Sequence, residues 1–156
     1  MSQVLRHRIR CGPQGLGREM GVARRGLDLR VAEELADLGT QQRNAVESHL
    51  AQALAHLIKL AWIGDPDLYP KWAEEVDRHQ DEACHTHTAA MKHDLDLDRI
   101  WRRGVRLANK SFRRHDEPEL PRTPDCPFTL DALLAEAFDT DAAIARVSGA
   151  LGAMPE

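Results

Sequence analysis

The segment from Thr40 to Ile63 constrains the fold more than any other part of the chain. Val46, Leu50, Ala53, Leu54, Leu57 and Ala61 recur at spacings of three and four over about four turns, the period that puts apolar side chains on one face of an α-helix. A stripe of that length has to be buried against other helices. Thr40 is placed to cap this helix and Gly64-Asp65-Pro66-Asp67 to end it, since Pro and Gly cannot continue the hydrogen-bond ladder.

The same reading extends to both sides. Asp28 caps a shorter helix to Leu38, with Gly39 as its stop. A third helix runs from about Pro70 to about His93. Its inner face is Trp72, Val76, His79, Ala83, His87 and Ala90, and its acidic outer face is Glu74, Glu75, Asp77, Asp81 and Glu82. A fourth spans about Asp96 to His115, with Leu97, Trp101, Val105, Ala108 and Phe112 on one side. Pro118, Pro121, Pro124 and Pro127 break the chain after it. Thr129 then caps a helix from Leu130 to Phe138, and Asp141 caps a last one to about Ala150. No strand-like alternation occurs. The predicted fold is all-α: an antiparallel helical bundle of four main helices plus one or two short C-terminal helices.

Residues 1–26 hold six Arg, one acid (Glu19) and five Gly. With so little to bury they read as an Arg/Gly-rich flexible arm, leaving 27–156 as a single helical-bundle domain. No run of about 18 apolar residues is present, and no apolar stretch follows Arg6, Arg8, Arg10 and Arg18 as a secretory signal requires. No membrane association is expected, and the chain reads as cytoplasmic. Three cysteines, Cys11, Cys84 and Cys126, form neither an even set nor a CxxC pair, which fits reduced thiols rather than disulfides or a zinc site.

Several fragments, in order and spacing, resemble the bacterial family known as domain of unknown function 29. They are Ala32-Glu33-Glu34-Leu35 with Leu38-Gly39, Glu47-Ser48-His49-Leu50 leading to His56-Leu57-Ile58-Lys59, Trp72, and Asp125-Cys126-Pro127-Phe128-Thr129-Leu130 with Leu133-Leu134. The resemblance covers roughly Leu27 to Asp139 and implies an all-helical bacterial protein. It carries over no catalytic residues, because the family has no established activity. Three features depart from the family pattern: the Arg/Gly-rich start, Leu60 where members usually carry Trp, and an acidic helix after Trp72.

Two constellations have chemical content. His49 and His56 share one flank of the second helix, and His79 and His87 share the inner face of the third. If the helices form a hairpin turning near Pro66, residue 56 lies opposite about 76 and 49 opposite about 83. Four imidazoles would then converge as in a bundle metal site. No His-x-x-x-His or Glu-x-x-His pair supports this, and packing at a helix border is the competing reading. The other constellation is electrostatic. Arg99, Arg102, Arg103, Arg106, Lys110, Arg113 and Arg114 fall within about a third of the fourth helix's circumference. Net charge is nonetheless −4. Residues 27–95 carry 6 basic against 13 acidic side chains, and 116–156 carry 2 against 9. A duplex would meet that negative field within a Debye length of ~8 Å, so nucleic acid is not an expected partner. A basic helix laced to acidic neighbours, such as the third helix's Glu/Asp face, or simply solvated, is the plainer reading.

Cys84 next to His85 is adjacency, not catalytic geometry. Gly12-Pro13-Gln14-Gly15-Leu16-Gly17 lacks the Lys-Ser/Thr of a phosphate-binding loop. No catalytic, cofactor-binding or metal-binding residue is assigned, and no cofactor is called for. The favoured function is a non-enzymatic interaction or regulatory module acting through a protein partner or self-association. The alternative is a metal-binding protein or metal-dependent hydrolase using His49, His56, His79 and His87.

Overall fold

The computed structural model describes residues 17–152, with side chains from Gly26 onward apart from Leu27. Its elements are α1 (Gly17–Ile63), α2 (Tyr69–Thr86), a 3-10 turn (Met91–Asp94), α3 (Leu97–Arg114), α4 (Leu130–Leu133) and α5 (Thr140–Gly152). Among the described residues there is no strand. No described helix is long and apolar enough to cross a membrane. The chain divides into two compact units, one up to Thr40 and one from Gln41 onward.

In the first unit, the helix expected to stop at Gly39 continues. Gly64 is the only glycine with positive φ among the described residues, so Gly39 never adopts the left-handed turn that ends a helix. The Thr40 hydroxyl donates back to the Ala36 carbonyl at 3.0 Å instead of capping a new helix. Two expected helices are therefore one. Of the arm expected over 1–26, residues 1–16 lie outside the described residues and 17–26 open α1.

The second unit contains the core. Val46, Leu50, Leu54, Leu57 and Ile58 of α1 are fully buried, packed with Val76 and Ala83 of α2 and with Ile100, Trp101, Val105, Ala108 and Phe112 of α3. Gly64 (φ +64) turns the chain after α1, its N–H bonding to the Leu60 carbonyl at 3.2 Å. The chain then runs back, so that Lys59 lies over Trp72 and His49 meets His79. α3 returns parallel to α1, with Arg99 beside Glu47 and Gly104 against Ala51 and Leu54.

Helix ends follow local chemistry. Asp96 caps α3 by accepting from Arg99 N, and Thr129 caps α4 by accepting from Ala132 N, the latter as predicted. Asp139, not Asp141, caps α5: its carboxylate accepts from the N–H groups of Asp141 and Ala142. Asp141 sits in the first turn instead and accepts from the Tyr69 hydroxyl. α2 stops at Thr86, about two turns before the predicted end, because the Thr88 hydroxyl takes the Met91 N–H and starts the 3-10 turn. The Pro-rich stretch is tied down by donors from the helices. Trp62 Nε1 bonds to the Pro118 carbonyl and Trp101 Nε1 to that of Pro124, each at 2.7 Å.

Gln80 is the buried polar anchor of the C-terminal segment. Its Nε2 donates to the Leu133 and Ala135 carbonyls at 3.0 and 2.9 Å. Gln80→Leu leaves both acceptors without that donor and should cost about 2 kcal/mol. Gln80→Glu at neutral pH should cost more, since it faces a carboxylate toward two carbonyls. Urea denaturation ranks the two, and equal stability of all three proteins would refute the assignment.

Candidate functional site

Three of the four histidines singled out in the sequence come together, and the fourth does not. His49 Nδ1 lies 2.9 Å from His79 Nδ1, with ring centroids 5.2 Å apart. His56 stacks on the other side of His79 at 6.1 Å. His87 is the C-cap of α2 in extended conformation, its Nδ1 against the Cys84 carbonyl at 2.8 Å. The four-histidine site therefore does not form. The hairpin turns close to Pro66 as expected, since His79 lies between His49 and His56 and Lys59 lies over Trp72; His87 is excluded because α2 ends at Thr86.

The hydrogen bonds define the tautomers. Arginine only donates, so His79 Nε2, 3.3 Å from Arg78 Nη2, accepts. The His79 proton then sits on Nδ1 and is donated to His49 Nδ1. His56 donates from its Nδ1 to the Gln52 carbonyl at 2.9 Å. Burial, reinforced by the Arg78 guanidinium, holds the His79 pKa down at about 4. Burial also lowers that of His56. The Arg78 hydrogen bond keeps the Glu75 carboxyl below its usual range, and Glu75 Oε1 lies 3.8 Å from His79 Nε2. Two of the nitrogens a metal would need are spent on each other. Among the described residues no group of three or more His, Cys, Asp or Glu is arranged to hold a metal ion. The cluster is a hydrogen-bonded seam between α1 and α2.

The basic face of α3 is partly neutralised, but not by the acids of α2. Arg99 pairs with Glu47 of α1 at 2.5 Å, Arg102 with Asp98, and Arg113 with Glu119 at 2.7 Å. Glu47 is buried while Arg99 is largely exposed. Arg103, Arg106, Lys110 and Arg114 have no carboxylate within ion-pair distance among the described residues. Two concavities open along the α1–α3 seam. One, of about 300 Å³, is lined by Glu47, Arg99, Ile100, Arg102, Arg103 and Arg106. The other, of about 280 Å³, is lined by Gln52, Ala55, His56, Lys59, Leu107, Lys110, Ser111 and Arg114. Sequence reading found the α3 cations but missed Gln52, Lys59 and Ser111. Only the parallel register of α1 and α3, offset by about 52 residues (Glu47 with Arg99), brings them to the same groove.

The thiols offer no nucleophile. Cys84 donates to the Leu134 carbonyl and Cys126 to that of Phe128, and burial raises both pKa values, the opposite of an activated cysteine. Cys11 lies outside the described residues.

These features define a small all-helical protein with a histidine seam and a basic groove. Residues 25–139 match the family described as Domain of unknown function DUF29, and the chain belongs to that family. A crystal structure of an α-helical protein of unknown function from Rhodospirillum rubrum is similar, at 27% identity over 75% of each chain and a TM-score of 0.69. No curated protein matches the chain.

Proposed function

We propose that this protein is a non-enzymatic interaction module that self-associates through the first part of α1. One observation carries the reading: Val31, Leu35 and Leu38 are 48%, 62% and 48% exposed, and their spacing of four and three puts them on one face of α1. Isolated helical segments are marginal in water without a packed apolar face. A cluster of large exposed apolar side chains marks an interaction site.

The occupant we favour is a second copy of the same helix, its Val31, Leu35 and Leu38 set against those of the first. Burying these side chains in both copies contributes on the order of 10 kcal/mol before the cost of association. With at least about 4 kcal/mol lost to association, the surplus corresponds to a dissociation constant no tighter than tens of micromolar. A bacterial, cytoplasmic setting fits the unpaired Cys84 and Cys126.

Analytical ultracentrifugation from about 1 to 200 µM should show a concentration-dependent dimer. Leu35→Glu with Leu38→Glu should leave a folded monomer. A wild-type monomer throughout, or a double variant that dimerises as well as wild type, would sink the proposal.

A further inference from the structure

We infer that the concavity around Lys59, Lys110 and Arg114 is a binding site for a phosphoryl group. It lies in the α1–α3 seam, apart from the residues to which self-association is assigned, and stands independently of that reading. Its polar lining comes from both helices: Gln52, His56 and Lys59 from α1, and Lys110, Ser111 and Arg114 from α3, over a floor of Ala55 and Leu107. No carboxylate is among the lining residues. The neighbouring concavity holds more arginines but also Glu47, a resident carboxylate already bonded to Arg99. That anion fills the role a ligand would play there. In the Lys59 concavity nothing does.

The three cations are poorly neutralised. Lys59, Lys110 and Arg114 form no ion pair among the described residues. Lys59 is half-buried, with its ammonium 4.6 Å from the centre of the Trp72 ring. Its pKa is lowered by burial first, with Lys71 adding to the effect and Glu117 and Glu75 opposing it. An anion in the groove would relieve that cost. A phosphoryl group presents three acceptor oxygens, against the two of a carboxylate, and so matches three separated cations and the Ser111 hydroxyl better. The volume of about 280 Å³ equals that of about nine waters, enough for the group and a small part of whatever carries it. No Phe, Tyr or Trp lines the groove to stack a base, which argues against single-stranded nucleic acid as the occupant.

The test uses the full chain at constant ionic strength, with thermal shift and amide NMR titration against inorganic phosphate, adenosine monophosphate and a phosphoserine peptide. Citrate and chloride serve as controls. Expected is a saturable response with a dissociation constant on the order of millimolar or tighter. Shifted amides should cluster at Gln52–Lys59 and Leu107–Arg114. Lys110→Gln with Arg114→Gln, both exposed positions, should fold normally and bind at least tenfold more weakly. A preference for the nucleotide would indicate a small-molecule ligand, and one for the phosphopeptide a modified protein; either supports the site. No saturable response to any of the three, an equal response to citrate, or unchanged binding by the double variant would overturn it.

Discussion

Gly104→Val is expected to lower the stability of the fold by about 3 kcal/mol or more. A Cβ built on Gly104 would lie 3.0 Å from Leu54 Cβ and 3.2 Å from the Ala51 carbonyl oxygen. Both of those atoms are fixed to the α1 backbone, so no side-chain rotation relieves the contact. α3 would have to lift away from α1 along a seam that buries Ile100, Trp101, Val105 and Ala108. Even Gly104→Ala should cost about 1–2 kcal/mol, although alanine is worth about 1 kcal/mol over glycine in an ordinary helix. Gly149, an exposed helical position with nothing within 4 Å of its Cβ site, supplies the control. Gly149→Ala should gain close to the full helix-propensity term. Urea denaturation of the three variants checks this, and a stabilising Gly104→Ala would show that the helices are not in tight contact there.

Acid should destabilise the protein through His79, beginning well above the carboxylate range. The imidazole titrates near 6.5 when unfolded and at about 4 when folded. Between those values the unfolded chain binds more protons, so stability falls as the pH falls from 6.5 to 4. The loss attributable to this residue approaches about 3 kcal/mol at the lower end. A protonated His79 also loses the hydrogen bond from Arg78 and stands as a cation beside that guanidinium. His56, lowered in the same direction, adds a smaller part of the slope. Unfolding free energy measured from pH 7 to 4.5 should therefore fall more steeply for the wild type than for His79→Leu. Parallel pH profiles would mean that the ring charges without penalty.

The histidine seam was half legible. A spacing of seven put His49 and His56 on one flank of one helix, and that placement needs only the helical period. The turn near Pro66 was legible as well, and it set His79 across from that flank. Where α2 ends was not: it stops at Thr86, so His87 leaves the helix. The basic face of α3 shows the same division. Seven cations on one side of a helix follow from the heptad-like spacing, but their partners do not. Glu47 sits 52 residues away from Arg99, and no local rule links the two. Gly39 and Thr40 were the reverse case, a strong stop-and-start signal that the chain overrode by continuing the helix.

What the sequence determined by itself were properties carried by interactions within about four residues. These are the all-helical class, the apolar stripe from Val46 to Ala61, and the capping hydroxyl of Thr129. Each depends on the helical period or on a side chain reaching its own backbone, so each can be read without knowing where the rest of the chain lies. Tertiary structure alone decided the contacts that seat His79 between His49 and His56, the seam that Gly104 permits, and the groove that joins Lys59 to Lys110 and Arg114. Those outcomes turn on how whole helices slide and pack against one another, which is set by contacts between residues far apart in the chain.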